Sequence, residues 1–265
     1  MTVPTIAFRE LGGSPDQPLL VLGPSLGTST ILWESVAPLL SGRYRLLAWD
    51  LPGHGDSPAA SVPFTVAELA DAVAAAVAEP FLYAGVSLGG ATGLELLLRH
   101  GDRVRAAAIV ASGAKLGEPE SWRVRAATVR AESTSAVIIG SAERWFAPGS
   151  MARHPDLAGR LLHVLQNADD ESYALCCEAL AGYDVRERLA EIGTPVLAVW
   201  GRHDAVAPEA KALEIADGVL QGEVAVIDDA AHLPPAEQPE RTAEALRDSF
   251  DRIERELEPT QGDLR

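Results

Sequence analysis

Three side chains in this sequence have the types needed for nucleophilic catalysis: Ser87, Asp204 and His232. Ser87 lies in Gly85-Val86-Ser87-Leu88-Gly89, after the apolar run Phe81-Leu82-Tyr83-Ala84 and before Ala91-Thr92-Gly93-Leu94-Glu95-Leu96-Leu97-Leu98. The pattern predicts a strand, a sharp turn with serine at its apex, and a helix. A serine there sits in strained backbone geometry at a helix N-terminus, where free N–H groups face any developing negative charge. The bland reading is a glycine-rich turn that serves packing alone. His232 would take the serine proton as Ser87 attacks and return it to the leaving group, and Asp204 would orient the imidazole and stabilise its charged form. Asp228 and Asp229 are nearer His232 in sequence, but they read as loop residues pointing to solvent, so Asp204 is the expected acid. An oxyanion needs two backbone donors; the N–H of Leu88 and the N–H of Leu26, in Gly23-Pro24-Ser25-Leu26-Gly27, are the candidates.

These residues require a scaffold that brings distant loops together. Leu19–Leu22, Arg45–Trp49, the apolar run from Phe81 into the serine turn, and Ala106–Ala111 read as strands alternating with helices, the signature of a parallel sheet. A further strand is expected over Thr5–Leu11, and a helix from Trp33 to Leu40. Thr65 and Glu68 form a predicted capping box, with Val66, Leu69, Val73 and Val77 on the buried face. From 114 to 182 only helical patterns occur (Ser121–Arg130, Ser135–Trp145, Leu157–Leu165 and Ser172–Leu180), which reads as an insertion into the sheet domain. The acidic run Asp169-Asp170-Glu171 reads as a solvated helix start. The sheet resumes at Thr194–Trp200 and ends with Glu223–Ile227, before a helix over 239–257 and a frayed tail over 258–265. Ser87, Asp204 and His232 would each lie just beyond the C-terminal end of a strand, where loops of a parallel sheet converge.

A chain with 47% hydrophobic residues can bury a sizeable core. Its formal charge of −16 argues against nucleic acid and anionic membrane surfaces as partners, both of which need a basic face. Cys176 and Cys177 are adjacent, a poor disulfide and no metal motif, so a reducing compartment is expected. With no visible secretory signal and no apolar run of membrane-spanning length, the expectation is a soluble cytoplasmic protein. Among the other polar and aromatic residues, His54 is expected to order its own loop, Trp33 and Trp49 to be core, and His203 to be exposed.

Taken together, Gly23–Ser29, Trp49–Gly55, Gly85–Gly90, Gly201–Asp204 and Ala230–Leu233 resemble the α/β-hydrolase superfamily over nearly the whole chain. Ser25-Leu26-Gly27-Thr28 stands where most relatives carry His-Gly. Glu143–Phe146 and Tyr173–Ala179 are similar to the cap of 3-oxoadipate enol-lactonases, enzymes of bacterial aromatic-acid breakdown by the beta-ketoadipate pathway. The resemblance implies an α/β-hydrolase fold, a mostly parallel sheet flanked by helices with an inserted helical cap: residues 1–113 and 183–265 form the core and 114–182 the cap. It implies Ser87, Asp204 and His232 as the catalytic residues, no cofactor or metal, and a small lactone or ester as substrate. A carboxylated lactone needs a local cation in so acidic a chain; Arg144, beside Trp145, is the candidate, with pairing to Glu143 as the alternative. The competing activities are a general carboxylesterase and a C–C bond hydrolase. A ligand-sensing receptor on the same fold is the non-enzyme alternative.

Overall fold

The computed structural model describes residues 3–257, so the tail expected over 258–265 lies outside the described residues. Seven strands form one sheet in the order β1-β3-β2-β4-β5-β6-β7. They are β1 (Phe8–Gly12), β2 (Leu19–Gly23), β3 (Arg45–Trp49), β4 (Phe81–Val86), β5 (Val104–Val110), β6 (Val196–Gly201) and β7 (Gly222–Ile227). Only β1 runs antiparallel, paired with β3; the other pairs are parallel. The expected mostly parallel, helix-flanked sheet is therefore what forms. Every residue of β2, β4 and β6 is buried, because helices cover both faces, whereas β1 and β7 at the edges are partly exposed.

The helices of two or more turns are α1 (Val66–Ala76), α2 (Leu88–His100), α3 (Pro119–Glu132), α4 (Ile138–Trp145), α5 (Pro155–Asn167), α6 (Asp170–Ala181), α7 (Glu209–Gly218) and α8 (Pro239–Leu257). α1 starts on the expected capping box: the Thr65 hydroxyl accepts from the Glu68 amide at 3.1 Å, and Glu68 accepts from the Thr65 amide at 2.9 Å. Val66, Leu69 and Val73 are buried along its inner face. One expected helix is not continuous. Residues 33–40 divide into a 3-10 turn, Thr30–Trp33, and a single helical turn, Ala37–Leu40. Pro38 has no N–H to give to the carbonyl of Glu34, and its ring would clash there, so a helix cannot run through. Trp33 and Trp49 are fully buried core residues, as expected.

Between β5 and β6 the chain adds no strand to the sheet and contributes α3 to α6. This helical excursion is stitched to the sheet loops by main-chain bonds: Asp169 N–H to Gly53 O at 2.9 Å, His232 N–H to Trp145 O at 3.2 Å and Val185 N–H to Ala114 O at 2.9 Å. The acidic run at its α6 end is the solvated helix start expected, with Asp169 and Glu171 exposed. Asp169 caps α6 by accepting from Ser172 N–H, Asp170 accepts from Thr134 N–H, and Glu171 pairs with Arg130. Acids at a helix N-terminus gain from its dipole, and here each also finds a specific donor.

The sheet order reverses between β2 and β4, since the chain moves outward from β2 to β3 and then returns to the other side. A crevice opens at such a switch point, outside the carboxyl ends of the strands. The Leu26 loop follows β2, Ser87 follows β4, Asp204 follows β6 and His232 follows β7. Replacing Thr65 by Ala should cost about 1 kcal/mol of stability through loss of the α1 cap. Urea titration should show the midpoint lowered with the slope unchanged, and ester turnover below the transition should be unaffected.

Candidate active site

Ser87 has φ 55° and ψ −113°, a backbone conformation that L-residues seldom adopt. Its main chain is held on both sides: the N–H donates to Val110 O at 2.9 Å, and the carbonyl accepts from the buried Ser112 hydroxyl at 2.7 Å. The turn is possible because strand and helix touch. A Cβ on Gly85 would lie 2.3 Å from Gly89 O, and one on Gly89 would lie 2.6 Å from Pro24 O. The Gly89 N–H donates to that same Pro24 carbonyl at 2.9 Å, tying the serine turn to the loop after β2.

That loop is a four-residue turn, Ser25–Thr28, closed by Thr28 N–H to Ser25 O at 3.0 Å with Gly27 at φ 83°. A left-handed third residue defines a type II turn. The Ser25 amide is taken by the Thr28 hydroxyl at 3.0 Å, and the Gly27 amide by His54 Nε2 at 3.2 Å. The Leu26 amide is left without a partner among the described residues, as is the Leu88 amide at the start of α2. Buried N–H groups are almost always satisfied, so two orphans flanking one serine mark a place for an oxygen ligand.

His232 Nδ1 lies 2.9 Å from Asp204 Oδ2, both residues being buried. The other Asp204 oxygen accepts from Val206 N–H at 2.7 Å and Ala207 N–H at 3.0 Å. Burial works to raise the Asp204 pKa, but the charge and hydrogen bond of His232 and the two amides outweigh it, and the carboxyl is held below its ordinary value. Asp204 is thus favoured as the carboxylate, an acceptor that fixes the proton of His232 on Nδ1 and leaves Nε2 with a free lone pair. Asp228 does not compete: it pairs with Arg202 at 3.0 Å on the surface, and Asp229 is exposed.

One pocket is lined by Ser25, Leu26, Ser87 and His232 from the sheet loops and by Trp122, Arg125, Arg144, Trp145 and Tyr173 from the helical excursion, with Val206 between them. Its volume is only ≈ 40 Å³, room for a few water molecules. It shares Trp122, Arg125, Arg144 and Val206 with an outer chamber of ≈ 490 Å³. The two arginines therefore stand where the inner pocket meets the outer one. Arg144 makes no hydrogen bond or ion pair among the described residues, with Glu143 or any other acid. Partial withdrawal from water and the nearby charge of Arg125 lower its pKa. Trp145 is buried, lines the pocket, and presents its carbonyl to the His232 amide.

Several residues here carry no local sequence signal. Arg125, from α3, donates through Nε and Nη2 to the Tyr173 hydroxyl at 2.8 and 2.6 Å and through Nη2 to Ser141 at 2.8 Å. It too has no carboxylate partner among the described residues. Glu237 is fully enclosed and accepts from Ala147 N–H at 2.6 Å and Ala231 N–H at 2.7 Å, bridging the excursion to the residue before His232. Burial raises its pKa, against those bonds and others from Ser150 and Leu233. Only the composition of the turn after β7, with an acid five residues beyond the histidine, could have drawn notice to it.

The sequence profile of the α/β-hydrolase fold matches residues 18–239. The chain belongs to the α/β-hydrolase family. It is 32% identical over 232 residues to 3-oxoadipate enol-lactonase 2 of Acinetobacter baylyi, covering 86% of each chain. A pimeloyl-[acyl-carrier protein] methyl ester esterase of Neisseria meningitidis is also 32% identical, over 84% of this chain and 89% of the relative. Among solved structures, the enol-lactonase from Burkholderia xenovorans LB400 superposes with a TM-score of 0.87 at 31% identity, covering 93% of this chain and 96% of that one. The expected enzyme class, carboxylic ester hydrolase, agrees with both kinds of relative. No helix among the described residues is long and apolar enough to cross a membrane.

The carboxylate partner of His232 can be tested directly. Asp204→Asn should lower kcat on p-nitrophenyl acetate by about 10³–10⁴, the loss expected when the wrong imidazole tautomer is favoured, with little change in thermal stability. Asp228→Asn should stay within twofold of the parent; a crippled Asp228 variant would move the acid to the other loop.

Proposed function

We propose that this α/β hydrolase opens a small carboxylated lactone, with 3-oxoadipate enol-lactone in aromatic-acid catabolism as its substrate, through an acyl-serine intermediate. The observation that carries this reading is the pairing, in one pocket, of a buried Ser-His-Asp set with two arginines that have no acidic partner among the described residues. The first supplies acyl transfer and the second an anion site.

Ser87 Oγ attacks the lactone carbonyl while His232 Nε2 takes its proton, and the oxyanion faces the Leu26 and Leu88 amides. The ring C–O bond then breaks, His232 protonates the departing enolate oxygen, and the acyl group stays on Ser87. An enolate is less basic than an alkoxide, so this step asks less of His232 than opening a saturated ester would. The leaving group remains tethered, and its conversion from enol to ketone removes the nucleophile that could reclose the ring. Water gives a proton to His232 as it attacks the acyl carbon; the bond to Ser87 Oγ then breaks, His232 returns the proton to Oγ, and the 3-oxo diacid leaves. Residues 114–182 act as the cap that brings Arg125, Arg144 and Trp145 over this centre. An enzyme within a reducing cytoplasm suits the free, buried Cys176 and Cys177.

A fluorophosphonate should label Ser87 alone, and Ser87→Ala should lose several orders of magnitude in turnover while keeping its fold. Arg144→Ala should lower kcat/KM on the carboxylated enol-lactone about 30-fold, the ~2 kcal/mol of a hydrogen-bonded charge. A neutral ester of similar size should be spared. Equal losses on the two substrates would return Arg144 to a structural role and leave a general esterase as the better reading.

A further inference from the structure

His54 is a buried titratable residue to which the reaction gives no part. It is 1% exposed and sits in the loop after β3, at the centre of a web of fixed contacts. Asp50 organises that loop by accepting from Thr30 N–H at 2.7 Å and Asp56 N–H at 3.0 Å. The His54 Nδ1 lies 2.9 Å from Pro52 O, and Nε2 lies 3.2 Å from the Gly27 amide nitrogen. A carbonyl can only accept, so the ring proton is on Nδ1, and Nε2 offers its lone pair to Gly27. The ring must be neutral to do this. Burial pushes its pKa down to about 4, against the opposing pull of the Pro52 carbonyl and the charge of Asp169. The remaining face is stacked on the Tyr173 ring, with centroids 5.9 Å apart and planes 25° from parallel.

The Gly27 amide belongs to the central peptide of the Ser25–Thr28 turn. Types I and II of such a turn differ by a flip of that peptide, which swings the Leu26 carbonyl to the opposite face and resets the Leu26 backbone. Ser25 and Thr28 satisfy one another in either form. Gly27 at φ 83° suits the type II form, and its N–H bond to His54 ties that peptide to the loop after β3. We propose that His54 is a positioning residue for the oxyanion site: by holding Gly27 N–H it anchors the turn to the loop after β3, and so steadies the preceding peptide, whose Leu26 N–H faces the reacting carbonyl. Its stacking on Tyr173, which also receives Arg125, links this anchor to the helical excursion over the pocket. The proposal rests on the reading of Leu26 N–H as an oxyanion donor.

Both can be tested with p-nitrophenyl acetate and with phenylboronic acid, which forms a tetrahedral anion on the serine. His54→Phe keeps the aromatic stack and removes the acceptor. It should lower kcat about 10–100-fold, leave KM within about twofold, and weaken phenylboronic acid by a similar factor to kcat. His54→Gln restores an acceptor near the Nε2 position and should recover most of kcat. Leu26→Pro deletes the donor at the position of a type II turn that tolerates proline. It should lose about 10²-fold or more, and adding His54→Phe to it should cost little further. If Leu26→Pro keeps its rate, the oxyanion reading fails and the proposal falls with it. If Leu26→Pro is crippled while His54→Phe retains kcat and boronate affinity, His54 alone is dismissed. A His54→Phe loss that His54→Gln does not repair, or that falls on KM and kcat alike, would show a packing role and overturn the proposal. Fluorophosphonate labelling of each variant separates loss of the hole from loss of folded enzyme.

Discussion

The close approach of Gly85 and Gly89 is the contact on which the site depends. A residue at φ 55° and ψ −113° costs ~1–3 kcal/mol and persists only where its surroundings over-determine it. Here the surroundings do so from three directions. The Gly85–Gly89 contact leaves no room for a side chain, the Val110 carbonyl and Ser112 hydroxyl hold the serine backbone, and Pro24 O holds the Gly89 amide. The last bond has a second effect. It fixes the loop after β2 to the start of α2, so the two unpartnered amides, Leu26 and Leu88, are carried by one rigid unit. Strain at the serine and the order of these two amides have a single structural cause.

The histidine side of the crevice is built differently, from buried polar groups that complete one another. Asp204 spends its two oxygens on His232 and on two amides. His232 places its own amide on Trp145 O, and Glu237 spans Ala147 and Ala231. A half-satisfied network of this kind would be worse than an apolar core, since an unmet buried polar group costs about 1–3 kcal/mol. The consequence is mechanical: the segment 145–147 of the helical excursion cannot shift without disturbing the loop that carries His232. The pocket roof and the His232 loop are therefore one assembly.

How much of this could be read in the sequence follows the range of the interactions. Ser87, Asp204 and His232 each lie in a turn at the end of a strand, and strands and turns leave local marks. So does the capping box of α1. The loop after β2 was legible as a place for a donor, but the anchor on it was not, because His54 comes from a different loop and its reach to Gly27 depends on Asp50 and on α6. Arg125 and its pairing with Tyr173 escaped for the same reason: the two are 48 positions apart and meet only when α3 and α6 pack. Residues 33–40 failed for a local reason that could have been used, since Pro38 forbids the continuous helix that the apolar spacing invites.

The charge of the chain and the charge of the site point in opposite directions, and distance settles which governs binding. With a Debye length of about 8 Å at physiological ionic strength, most of the −16 is screened from a substrate in the crevice. Arg125 and Arg144 are inside that distance of whatever occupies the inner pocket, because both line it. Withdrawal from water first, and then the charge of Arg125, lower the Arg144 pKa. No carboxylate is in ion-pair contact with either arginine among the described residues, although the charge of Glu143 acts favourably on Arg144; Arg125 is satisfied by the Tyr173 and Ser141 hydroxyls, which are neutral. On the reading proposed above, a substrate carboxylate between the chambers would meet both guanidinium groups at a range where the distant acidic surface is screened.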